Sequence, residues 1–324
     1  MTGSFTRPLN ALLTGFSYLN GRVTGSPSVL SFPTAVSVEL TNNCNLHCPE
    51  CASGSGRMTR PRGFMDIDLF RKIITGLKPY LYDVCLYFQG EPMLHPGFFS
   101  FIEAAGKMRT TVSTNGHFLS VQNAEKLVAA DLGKLIVSLD GSDQETYQVY
   151  RQGGDIERVM DGLRNVAEAK SKAGSKMKVE LQFLVSRHNQ HQVGEAGRIA
   201  RTNGATLRLK SMQVIHEEDT GYWVPSISKY SRYTRGNDSF MIKSRLPDRC
   251  FRLYFNPVIT WDGKVVPCCF DKDASYIMGD LTADTFRSIW NGEKYSTFRK
   301  RVLTERGGID ICRNCTSGLK HVRY

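Results

Sequence analysis

From Thr34 to Val214 the sequence alternates between short β-rich runs and longer stretches of helical periodicity. Strands are expected at Ala35–Leu40, Asp83–Phe88, Thr110–Thr114, Lys134–Leu139, Lys178–Val185 and Thr206–Val214. Helices are expected over Asp66–Leu77, Pro96–Lys107, near Val121–Ala130, in stretches through about Lys172, and near Gln190–Thr202. Strands separated by helices run parallel, because each crossover returns the chain to the same end of the sheet. An α/β chain of this kind fits an open parallel sheet or a partial (β/α)6 barrel.

The strands say more than their number. Faces that pack on helices must be apolar, and Leu135, Val137, Leu139, Val179, Leu181, Phe183, Leu207 and Leu209 meet that need. Ser37, Glu39, Lys134, Ser138, Asp140, Glu180, Gln182, Arg208 and Lys210 then turn inward. An interior that served packing alone would be Val, Ile and Leu. Burying unpaired polar groups is costly, so the expectation is a lumen that holds ligands and water. A mutually satisfied ion network is the other reading.

Cys44, Cys48 and Cys51 form a C-x3-C-x2-C run just after the first expected strand. Three thiolates on one loop can hold three corners of a cubane iron–sulfur cluster. The next cysteine, Cys85 in Val84-Cys85-Leu86, reads as a core thiol. The remaining iron is then open to a chelating cofactor. A zinc site with His47 as fourth ligand is the alternative. Disulfides within so tight a loop would be strained. Cys250, Cys268, Cys269, Cys312 and Cys315 make a second set in the tail. A hairpin expected from Asn256–Thr260 and Lys264–Pro267 brings Cys250 near Cys268, and a helix at Leu281–Asn291 leads back to the Cys312-x2-Cys315 pair. A four-cysteine zinc ribbon is the competing reading here.

The first cysteine run, with Gln89-Gly90-Glu91-Pro92 one strand later, resembles the radical S-adenosylmethionine (SAM) superfamily. The resemblance selects the partial (β/α)6 TIM-like barrel. It implies that SAM chelates the open iron, that one electron cleaves it, and that a 5′-deoxyadenosyl radical then removes a hydrogen atom. It places Gly90 and Glu91 near the ammonium of SAM. Ser113 and Asn115, in Ser113-Thr114-Asn115-Gly116, fall where the family has a Thr-Asn-Gly element near SAM. Ser138 matches a serine used for the ribose or carboxylate, and Arg151 an arginine that pairs with the carboxylate. Glu50 departs from the family, which usually has an aromatic residue just before the third cysteine.

The tail resembles the twitch domain, a shortened SPASM domain that carries one auxiliary cluster. Its implied ligands are Cys250, Cys268, Cys312 and Cys315, with Cys268 chosen over Cys269 by its spacing from Gly263. The implied cofactors are SAM and two [4Fe–4S] clusters, with the second in a small C-terminal α+β domain. The cysteine spacing is similar to that of 2-deoxy-scyllo-inosamine dehydrogenase-type enzymes. The implied function is an oxidoreductase acting on a polar small molecule, a sugar or alcohol, with the second electron passing to the auxiliary cluster. Flavodoxin or ferredoxin is the expected electron donor. The inward Arg208 and Lys210 favour an anionic or phosphorylated substrate. The alternative is a peptide-modifying maturase or epimerase. No catalytic residue is named. His216, Glu217, Glu218 and Asp219 lie at the expected catalytic rim, but a solvated charge run is preferred.

The expected domains are an N-terminal amphipathic extension (1–33), the barrel (34–220), a connection (221–245) and the cluster domain (246–324). Leu9, Leu12, Leu13, Phe16 and Leu19 recur at helical spacing in the extension. Docking on the protein's own barrel is the preferred reading of that stripe, and contact with an anionic membrane the other. The net charge of +11 favours acidic partners, yet no nucleic-acid-binding motif is present. No run approaches the ~20 apolar residues of a membrane span, and the start lacks a signal-peptide pattern. The nine cysteines, odd in number, suit metal ligation in a reducing cytoplasm.

Overall fold

The computed structural model describes residues 6–236, 240–243 and 246–316. Residues 1–5 of the expected extension, 237–239 and 244–245 of the expected connection, and 317–324 of the expected cluster domain lie outside the described residues.

In chain order, α1 (Thr6–Thr24) precedes β1 (Ala35–Val38), α2 (Ile67–Leu77), β2 (Asp83–Cys85), α3 (Phe98–Ala105) and β3 (Arg109–Thr114). Then come α4 (Val121–Ala129), β4 (Lys134–Ser138), α5 (Gln144–Tyr150), α6 (Ile156–Lys172), β5 (Lys178–Val185), α7 (Val193–Thr202) and β6 (Thr206–Ser211). After β6 follow α8 (Thr220–Trp223), β7 (Tyr233–Arg235), β8 (Phe240–Ile242) and α9 (Arg252–Phe255). The chain ends with β9 (Val258–Ile259), β10 (Lys264–Val266), β11 (Gly279–Asp280), α10 (Phe286–Trp290), α11 (Glu293–Glu305) and α12 (Asp310–Arg313). The helices start where the sequence offers caps. Asp66, Ser120, Asp143 and Asp155 each accept a first-turn amide with the side chain, which satisfies donors that have no intrahelical partner.

Two compact units result. Of the described residues, the first comprises 6–43, 59–110 and 246–316. Here β1 pairs in parallel with β2, Ala35 opposite Asp83 and Ser37 opposite Cys85. Its other edge pairs in parallel with β9, which the sequence did not foretell. β9 and β10 form the expected antiparallel hairpin, turning at Gly263 with φ +83°. Inward-facing Glu39 is fully buried and held by both terminal nitrogens of Arg60, at 2.6 and 2.5 Å. Burial raises the Glu39 pKa, while Arg60 opposes the rise.

Of the described residues, the second unit comprises 44–58, 111–236 and 240–243. Its strands β3, β4, β5 and β6 run parallel in that order. Leu135, Val137, Leu181 and Phe183 are fully buried, as the helix-facing side requires. On the opposite side Glu180 takes Lys134 Nζ at 2.6 Å and Arg208 Nε at 3.6 Å. The ion-network reading therefore holds for these three residues, and Arg208 is partly neutralised and half exposed.

Several elements differ from expectation. β2 stops at Cys85 and β6 at Ser211. The polar connection contains the β7–β8 hairpin, and α11 was not anticipated. α1 is turned opposite to the docking expectation: its buried residues are Asn10, Thr14, Ser17 and Gly21, while Leu9, Leu12, Phe16, Leu19 and Val23 are exposed. Among the described residues no helix is long and apolar enough to cross a membrane.

Candidate functional site

The cysteine loop belongs to the second unit. Cys51 N donates to Cys48 O at 3.2 Å and Ser55 N to Cys51 O at 2.9 Å, so the run coils tightly. Gly54 permits this: a Cβ there would stand 2.6 Å from Cys48 N. Cys48 is buried in a cluster with Leu46, Tyr150, Met212, Val214 and Trp223, and Cys44 and Cys51 pack against it. Burial in this apolar setting pushes the Cys48 thiol up to about 12, against the nearby Arg151. A thiol so placed becomes a thiolate when a metal replaces its proton.

Arg151 is the charged group at this loop. It donates Nε–H to Asp140 Oδ2 at 2.6 Å and approaches Cys48 Sγ to 4.0 Å with one terminal nitrogen. Asp140 is buried, and its other oxygen accepts the amide of Leu184 at 2.7 Å. Arg151 is thus aimed at a cysteine sulfur and anchored by an aspartate that the sequence did not single out as a site residue. Asn115 Nδ2 donates to Asn45 Oδ1 at 2.8 Å, tying the end of β3 to the cysteine loop. Its own oxygen accepts from the backbone and ring of His117. Ser138 is buried at the end of β4, and Ser113 is half-buried in β3.

Glu50, where the family pattern has an aromatic ring, is buried and accepts Ile215 N–H at 2.6 Å with Oε2. Desolvation raises its pKa. This bond pins the segment after β6, where His216 Nε2 is buried without a hydrogen-bond partner. Glu217 and Glu218 in the same run are exposed, as the solvated reading expects. His47 is exposed and lies against Gly153, its Nδ1 at 3.3 Å from where a Cβ there would sit.

Gly90 and Glu91 belong to the first unit. Gly90 has φ +73°, and a Cβ there would stand 2.6 Å from Thr41 O and Asn43 O. Its lack of a side chain lets the Gly90 turn close on the segment 41–43, between β1 and the cysteine loop. Glu91 is buried, donates its amide to Asn43 O at 2.8 Å, and accepts Met93 N–H at 3.1 Å with Oε1.

The second cysteine set lies wholly in the first unit. Cys250, Cys268, Cys312 and Cys315 line one small cavity together with Arg252, Arg306, Phe270 and Phe298. Cys269 is not among the residues that line it. Arg306 is buried, donates to Arg249 O at 2.7 Å, and reaches Cys315 Sγ at 3.4 Å. Burial pushes the Cys312 thiol up to about 11, with Arg306 pulling the other way.

Both sets fit cluster binding by their chemistry: soft thiols, apolar walls and one or two guanidinium groups to balance the charge of an iron–sulfur centre. The four cysteines that line the second cavity could each take one corner of a cubane.

Comparison with known proteins agrees. Residues 38–179 match the radical SAM superfamily, and residues 250–316 match SPASM, an iron–sulfur cluster-binding domain. The chain is 31% identical over 311 residues to mycofactocin maturase MftC of Mycobacterium tuberculosis, covering 88% of this chain and 76% of that one. It is 23% identical over 292 residues to the S-adenosyl-L-methionine-dependent 2-deoxy-scyllo-inosamine dehydrogenase of Niallia circulans, covering 87% and 92%. The structure of BtrN with AdoMet and 2-DOIA superposes with a TM-score of 0.54 at 18% identity, covering 89% and 94%. The chain belongs to the radical SAM superfamily: an α/β enzyme of that fold with a SPASM region, whose cofactors are SAM and [4Fe–4S] clusters.

Proposed function

We propose that this chain is an oxidoreductase acting on a polar small molecule, a sugar or alcohol unit. The observation that carries the reading is the second cysteine set. Four thiols that line one cavity could take all four corners of a cubane and leave none for a substrate, so a group held there suits electron exchange. When bound, SAM and the first cluster supply a 5′-deoxyadenosyl radical able to remove a hydrogen atom, and the second cluster supplies an acceptor for the electron left behind.

The chain's own residues take the following parts. Cys44, Cys48 and Cys51 hold the first cluster, and Cys250, Cys268, Cys312 and Cys315 the second. Tyr150, Met212, Val214 and Trp223 keep water from Cys48. Arg151 sets a fixed positive charge beside that sulfur. Gly90 and Glu91 of the first unit, and Ser113, Asn115 and Ser138 of the second, are the candidate SAM-binding residues. His216 is the candidate proton acceptor, because its buried Nε2 has no partner of its own. Lys210 at β6 suits an anionic group on the substrate, whereas Arg208 is shared with Glu180. Flavodoxin or ferredoxin suits the acidic donor that a chain of net charge +11 would attract, in the cytoplasm.

A second reading, a maturase acting on a peptide, rests on the higher identity to a maturase than to the dehydrogenase. Anaerobic incubation with reductant, SAM and a small-molecule extract tests the first reading. Mass spectrometry should find a product lighter by two hydrogens. Cys48→Ala should abolish 5′-deoxyadenosine, and Cys312→Ala should keep it while losing the product. A normal product yield from Cys312→Ala would sink the electron-accepting role.

A further inference from the structure

We infer that α1 is a docking face for an anionic lipid surface. The helix presents Leu9, Leu12, Phe16, Leu19 and Val23 to solvent, with Leu12 at 72% and Val23 at 86% exposure. Their spacing of three and four residues puts them on one side of a helix that runs from Thr6 to Thr24. The opposite side is polar and locked. Asn10 exchanges both of its amide groups with the backbone of Phe32, at 3.0 and 2.8 Å. Thr14 Oγ1 shares a hydrogen bond with Ser31 Oγ at 3.0 Å, and Ser17 Oγ accepts Leu30 N–H at 3.0 Å. Gly21 lies against Tyr254, whose hydroxyl would stand 2.9 Å from a Cβ there. Turning the helix to bury its leucines would orphan each of these groups, so the fold holds the apolar stripe outward.

Charge selects the occupant. No Asp or Glu precedes Glu39, whereas Arg7 and exposed Arg22 sit at the two ends of the helix. The chain as a whole carries +11. An apolar stripe with basic ends and no acid is the pattern of a helix lying in a headgroup layer. A second copy of the chain fits less well. The stripe is one row of apolar side chains along a single helix, narrower than the roughly 20–30 residues a side of a standard interface. Its flanks also lack the opposite charges that pair two helices.

The test is flotation of the full chain, with its clusters reconstituted, on vesicles of phosphatidylcholine alone or with ~30 mol% phosphatidylglycerol. At least ~10-fold more protein should float with the anionic vesicles, and raising the salt severalfold should release part of it. Leu12→Glu with Phe16→Glu should remove the binding. Both side chains are exposed, so iron content and circular dichroism should not change. Equal recovery on neutral and anionic vesicles would overturn the inference. So would self-association in the absence of lipid that the same two substitutions abolish.

Discussion

Arg151 joins a buried aspartate to a cysteine sulfur: Nε sits 2.6 Å from Asp140 Oδ2, and a terminal nitrogen 4.0 Å from Cys48 Sγ. Charge-assisted contacts of this kind contribute about 1.5–3 kcal/mol. Arg151→Gln should therefore cut SAM cleavage at least ~10-fold, and Asp140→Asn should act in the same direction through the loosened guanidinium. Iron per chain and 5′-deoxyadenosine yield are the measurements. A variant lacking Arg151 that cleaves SAM at the native rate would show that this charge is idle.

Gly90→Ala should be more damaging than Gly116→Ala, although both glycines have positive φ. A Cβ at Gly90 meets two backbone carbonyls at 2.6 Å, which cannot move aside cheaply. At Gly116 the nearest atom is a side-chain methyl of Val159 at 2.9 Å. The φ strain alone costs about 1–3 kcal/mol, and Gly90→Ala adds the backbone overlap. Urea denaturation of the two variants should rank them in that order.

The adjacent cysteines Cys268 and Cys269 should behave oppositely. Cys268→Ala should lose the iron of the second cluster, and Cys269→Ala should retain it, because only Cys268 lines the cavity. Mössbauer or iron analysis decides between them. Arg306→Gln should make the same cluster harder to reduce, since a positive charge at Cys315 favours the added electron. A tenfold change in that equilibrium is ~59 mV for one electron, readable by potentiometry without any substrate.

His117 should titrate below its ordinary value of 6.5, chiefly because it is half-buried. Its Nε2 accepts the amide of Asp155 at 2.9 Å, which only the neutral ring can do. A depressed folded pKa means that the neutral form is favoured in the native state. The resulting stability is complete above 6.5 and is lost as pH falls through the folded pKa. His117→Gln should flatten this acid-side slope in denaturant melts between about pH 7 and 5.

The cysteine loop was legible because ligand spacing is a local property. So were β3 to β6 and their apolar faces, because alternation is local too. Contacts between distant positions were not. Nothing in the chain near Glu50 names Ile215, and an ordinary family position there misleads about where the side chain goes. Glu180 could be expected to face inward, but not to meet both Lys134 and Arg208. α11 did carry a signal in Tyr295, Phe298 and Val302, which are buried on one side. The dense Lys294, Arg299, Lys300 and Arg301 around them obscured it. Its buried Arg299 stacks on Tyr295 and Trp290 at 4.0 and 4.3 Å, so a charged residue sits where a binary pattern expects an apolar one.

The parallel pairing of β1 with β9 has a practical result. Residues matching the superfamily end at 179 and those matching the cluster-binding region begin at 250, which invites expression of the front part as a minimal catalytic fragment. Such a fragment would strip one side of its opening strand of a hydrogen-bonding neighbour. Bare β-edges recruit other chains, so the shortened protein should precipitate rather than remain a soluble half-enzyme.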